Sequence, residues 1–95
     1  MLSREDFVFT IGYDGPAAMI DSQAKKRYKT LSTKELAEKG FFRAAYSSAV
    51  YSKDPEELRL IALEYERFSG MKVEIASLGR LFGVFPVEAS RTIFL

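Results

Sequence analysis

Histidine, cysteine and tryptophan are all missing from this chain of 95 residues. Without histidine there is no side chain that changes charge near neutral pH, and the commonest general base is gone. Without cysteine there is no disulfide framework and no thiolate nucleophile, and together the two absences remove the usual zinc ligands. An enzyme built on this chain would have to work with carboxylates, Lys or Tyr, and carboxylate chemistry needs two acids facing one cleft. The candidates are Asp14, Asp21, Glu56, Glu57, Glu64 and Glu66, and most of them fall in stretches that read as exposed helix faces or turns. The chain also has no glycine-rich phosphate loop and no Asp-x-Asp-x-Asp-Gly calcium loop. No catalytic residue, metal site or cofactor is therefore expected.

Charge is equally undistinguished. Fourteen basic and thirteen acidic side chains leave a formal net charge of +1, not the clear excess that a polyphosphate-binding protein tends to carry. No apolar run approaches the ~18 residues that span a bilayer. The opening "MLSREDFVF" places Arg4, Glu5 and Asp6 before any apolar run, the wrong order for a secretory signal. A soluble, cytoplasmic protein is expected. With 47% apolar residues, the chain suffices for one small globular domain over residues 1–95.

What is present is mostly helix and turn grammar. In "DFVFTIGYDGPAAMID", Phe7, Phe9, Ile11 and Tyr13 alternate as in a half-buried strand. Asp14-Gly15 follows as a tight-turn signal, and Ala17 to Ile20 form the return strand of a hairpin. Asp21 or Ser22 then caps a short helix over Gln23 to Lys29. Ser32 and Glu35 form a capping box, which predicts a helix running toward Tyr51 with Leu36, Phe41, Ala45 and Ala49 inside. Gly40, Ala44 and Ser48 recur every fourth residue and predict a flat, closely packed side. Asp54, Pro55, Glu56 and Glu57 open a second helix that Gly70 ends, with Leu58, Ile61, Ala62, Tyr65 and Phe68 as its buried stripe. A third helix carries Ile75, Leu78 and Phe82, and Gly83-Val84 stop it. Residues 86–95 read either as strand, through the alternation of Val87, Ala89, Arg91, Ile93 and Leu95, or as a helix begun by Pro86.

Two family patterns touch this grammar. Phe42, Tyr46, Ala49 and Pro55 give the helical pair a spacing that resembles one tetratricopeptide unit. Phe42 stands where that repeat has a small residue, Pro55 comes one position late, and no second copy follows, so only the helical hairpin is kept. "GRLFGVFPVEASRT" resembles the middle of a helix-turn-helix: Gly79 at the small position, Phe82-Gly83-Val84 at the turn, Ala89 inside, Ser90-Arg91 facing DNA. A reading helix presents hydrogen-bond donors to phosphates and bases, whereas the outward positions here are Phe85, Val87, Ser90, Arg91 and Phe94. Nucleic-acid binding over residues 75–95 is thus the alternative function. Its contacts would be Arg91 together with Lys25, Lys26, Arg27 and Lys29 of "AKKRYKT".

These signals define an α+β fold. An N-terminal β-hairpin packs on an antiparallel helical hairpin, followed by a C-terminal helix and a final strand or extended tail. Eight Phe and five Tyr are many for so small a core. Phe42, Leu60, Leu63, Phe85 and Phe94 fall off the main stripes, and apolar side chains left over from a core collect into association surfaces. The expected function is non-enzymatic protein–protein interaction or self-association as a homodimer, through Phe85, Val87, Phe94 and Leu95. Neither a nucleic-acid partner nor a membrane is expected.

Overall fold

The computed structural model describes residues 3–84 and 91–95. The fold is α+β, and the described residues form two compact units, 3–30 with 91–95 and 31–84.

The first unit opens with a short helix, α1 (Arg4–Val8), where the alternation of Phe7 and Phe9 predicts strand. Ser3 decides the matter: its hydroxyl accepts the Asp6 amide at 3.2 Å, and Glu5 and Asp6 sit at the positive end of the helix. The Ser3-x-x-Asp6 spacing is a capping signal that the alternation masks. Strand β1 (Thr10–Asp14) begins only after Phe9, and a register shift between Thr10 and Gly12 leaves Ile11 46% exposed. The hairpin turn is as expected in place but not in detail. Asp14 pairs with Ala17 across it, so Gly15 and Pro16 are its two central residues. Gly15 at φ +57° followed by proline fits a type II′ turn, which needs positive φ at its first central position only.

Strand β2 (Ala17–Ile20) is central, and both Ala17 and Ala18 are fully buried although they point to opposite faces. Asp21 accepts the Ala24 amide at 3.1 Å and starts α2 (Ser22–Tyr28), as the sequence indicates. The tail is strand: β3 (Arg91–Phe94) lies parallel to β2, with Ala17 opposite Arg91 and Ile20 opposite Phe94. Parallel neighbours need a long crossover, and residues 21–90 connect the two strands.

The second unit is helical. In α3 (Thr33–Glu38) the capping box is complete: Ser32 accepts the Glu35 amide at 3.2 Å, and Glu35 accepts the Ser32 amide at 3.1 Å. The helix then stops instead of running on to Tyr51. Gly40 adopts φ +82°, its amide donates to Ala37 at 3.0 Å, and the Phe41 amide reaches back to Leu36 at 2.9 Å. This is a Schellman stop, and it restarts the helical phase in α4 (Phe42–Ser52). The restart buries Phe42 and leaves Phe41 exposed, the reverse of the one-helix reading, while Leu36, Ala45 and Ala49 are inside as expected. It also removes the flat side, since Gly40 lies outside both helices and a Cβ there would meet nothing within 4 Å.

Lys53 and Asp54 turn the chain into α5 (Pro55–Ser69), with Asp54 accepting the Glu56 amide at 2.9 Å and Gly70 ending the helix at φ +73°. Ile61 is fully buried and Leu58, Ala62 and Tyr65 partly so, but Phe68 is 74% exposed and does not belong to the inner stripe. A 3-10 turn (Ile75–Ser77) leads into α6 (Leu78–Phe82), which Gly83 terminates as anticipated. Of these, Leu78 is fully buried and Ile75 exposed. Aromatic rings knit the unit: Phe42 meets Tyr65 edge-on at 5.2 Å and lies parallel to Phe82 at 6.1 Å, while Tyr46 packs 5.9 Å from Phe82. Phe42 is thus a core residue and not part of a leftover apolar surface.

Candidate interaction surface

Among the described residues, the sheet order β1-β2-β3 makes β1 and β3 the outer strands. The β1 edge is interrupted by its own irregularity at Ile11, and a bulge of this kind is a common protection against pairing. Strand β3 carries no such interruption, and its far edge has no strand neighbour among the described residues. The Leu95 amide donates to the Ile20 carbonyl at 3.0 Å. By the two-residue period of a strand, Ile93 faces β2 in the same way, and the backbone amides and carbonyls of Thr92 and Phe94 face outward.

Side chains add apolar area to this edge. Ile93, Phe94 and Leu95 are 37%, 55% and 59% exposed. Of the four anticipated partner-binding residues, Phe94 and Leu95 are therefore brought together at one end of the sheet. Phe85 and Val87 lie outside the described residues. Ile93, which is not among those four, stands beside Phe94 on the same strand.

The environment of Phe94 includes a cation. Its ring lies 5.0 Å from the Lys25 ammonium of α2. Lys25 in turn pairs with Asp6 of α1 at 2.6 Å. One cation thus ties α1, α2 and β3 together within this unit.

That arrangement bears on the basic cluster. Lys25 is engaged internally, while Lys26, Arg27 and Lys29 are exposed on α2 or just after it. Arg91 is exposed, but its strand position is opposite Ala17, at the far end of β2 from α2 and roughly 10 Å along the strand. The five basic residues therefore do not form one continuous row. The second helix of a helix-turn-helix would have to continue through residues 91–94, which are strand. The small residue at 79 has a packing reason of its own, since a Cβ there would stand 2.9 Å from the Tyr46 hydroxyl.

An enzyme reading would need converging carboxylates, and Glu38 and Glu64 do line one open cleft of about 500 Å³ beside Phe42 and Phe68. Each acid is matched by a cation one turn away on its own helix, Lys34 at 3.9 Å and Arg67 at 3.1 Å. No group of three or more acidic side chains suited to a metal ion occurs among the described residues, and no described helix is long and apolar enough to cross a membrane.

Comparison with known protein families, curated proteins and solved structures finds no match.

Proposed function

We propose that this chain is a non-enzymatic interaction domain that binds another protein or a second copy of itself by strand addition at β3. The observation that carries the reading is the uninterrupted β3 edge, with Ile93, Phe94 and Leu95 each more than a third exposed. Open edges with β-branched and aromatic residues are templates for a further strand, which gains main-chain hydrogen bonds and side-chain cover together. Strand β3 carries a single charged residue, Arg91, at its start, and neither lysine nor proline blunts it.

Light scattering behind a sizing column tests this. The mass of the native chain should rise above 10.8 kDa with concentration, and the Phe94→Asp protein should stay at 10.8 kDa. The variant is expected to fold, because the new carboxylate stands where Lys25 already lies over the ring. A native chain that remains monomeric at about 0.5 mM, where even a small interface forms measurably, refutes the self-association arm. A Phe94→Asp protein that unfolds refutes the assignment of Phe94 to a surface.

A further inference from the structure

We infer that the strand added at β3 is β3 of a second copy, running antiparallel about a two-fold axis at Ile93, so that the two three-stranded sheets become one of six. This rests on the strand-addition reading and specifies its partner and register.

Three observations lead there. First, the outward hydrogen-bonding residues are Thr92 and Phe94, by the alternation that the Leu95–Ile20 bond establishes. In an antiparallel pair, outward residues must stand opposite outward residues. Thr92 then pairs with Phe94 of the other copy, and Phe94 with its Thr92, which makes four main-chain hydrogen bonds in a self-complementary set.

Second, charge selects the direction. Arg91 is the one ionisable side chain of β3. Parallel, in-register pairing would set Arg91 beside its own counterpart, and like charges directly opposite destabilise a sheet. Centring the antiparallel pair on Ile93 puts Arg91 opposite Leu95 and holds the two guanidinium-bearing residues roughly 13 Å apart along the strand. Shifting the centre to Thr92 brings them back to diagonal neighbours.

Third, the side chains fit the same register. Phe94 meets Thr92, an aromatic against a β-branched residue, which is a favourable cross-strand pair. Ile93 meets Ile93 at a non-hydrogen-bonded position, where strands approach to about 4.5 Å between Cα atoms. That contact covers a side chain that is 37% exposed in the single chain. An edge this short buries on the order of 300–400 Å² per copy, about half the standard patch, so the dimer is weak and concentration-dependent.

The absence of cysteine makes the test clean, because any introduced thiol is the only one present. Ile93→Cys and Thr92→Cys proteins are oxidised at about 0.5 mM, where a weak dimer is still populated, and the covalent dimer is followed on a non-reducing gel. In the inferred register the two thiols introduced by Ile93→Cys face each other within disulfide reach, whereas positions 92 of the two copies stand beyond ~7 Å. Ile93→Cys should therefore cross-link about tenfold or more faster than Thr92→Cys, which reports random collision. Equal rates at both positions overturn the register and point to parallel pairing or collision alone. A native dimer that Phe94→Asp dissolves, but whose Ile93→Cys form does not cross-link preferentially, overturns the register and leaves the strand-addition reading intact. A native monomer by light scattering overturns this inference together with the self-association arm of that reading.

Discussion

One methyl group at Gly79 sets two opposing effects against each other. Gly79 lies inside α6 with an ordinary right-handed conformation, so replacing it with alanine should stabilise the helix by roughly 0.5–1 kcal/mol. The new Cβ would stand 2.9 Å from the Tyr46 hydroxyl and 3.6 Å from Cζ of the same ring. Ordinary contact begins near 3.4 Å, so the hydroxyl must retreat by about half an ångström. Tyr46 is not free to swing, because its ring packs 5.9 Å from Phe82, which in turn lies parallel to Phe42. Overpacking of this kind costs about 1–3 kcal/mol and outweighs the helix gain. Gly79→Ala should therefore lower stability by about 0.5–2 kcal/mol, a fall in Tm of several degrees for a chain of this size. In a Tyr46→Phe background the obstacle is gone, and the same substitution should raise stability by about 0.5–1 kcal/mol. Urea melts of the four proteins give the coupling directly as a double-mutant cycle, expected at about 1–3 kcal/mol. If Gly79→Ala changes the midpoint equally in both backgrounds, the steric explanation for the small residue at 79 is wrong.

The left-handed residues at the helix ends make a second prediction. At Gly40 space is open but φ is +82°, so Asn should cost less than the smaller Ala, and Leu should cost about 1–2 kcal/mol through strain, not overpacking. Lys53, at φ +59°, is the reverse case, and Lys53→Gly should raise stability in urea melts by up to about 1 kcal/mol; a lowered midpoint would sink the strain account. Inside the helical unit, Thr33 and Ser48 share a buried hydroxyl–hydroxyl bond of 2.7 Å. Ser48→Ala should cost about 1–3 kcal/mol by depriving the Thr33 hydroxyl of that partner, and adding Thr33→Val should recover part of the loss. Additive costs in the double variant would show that the two hydroxyls act independently.

Features set by a few adjacent residues were legible in the sequence. The Ser32–Glu35 box, the Asp54–Pro55 start, the Gly70 and Gly83 stops and the Asp21 cap each depend on local hydrogen bonds or on a backbone dihedral that glycine alone adopts freely. Where two local signals competed, reading by pattern chose wrongly. The alternation from Phe7 to Tyr13 gave way to the Ser3 cap, and the four-residue spacing of Gly40, Ala44 and Ser48 gave way to the Schellman stop. In each case a satisfied hydrogen bond at a helix end outweighed a periodicity that has no energy of its own.

The candidate surface was legible only in part, for a related reason. Alternation in the tail allows strand or helix equally, and Phe94 and Leu95 stand out as apolar under either. Which edge the tail joins, in which direction, and with Lys25 over Phe94, depends on pairing with β2 more than seventy residues earlier. From its own residues the chain determined where helices start and stop, because those bonds close within about five residues. The tertiary structure alone decided that β3 is an outer strand, since a strand's partners are chosen by long-range hydrogen bonding and burial, which no local spacing records.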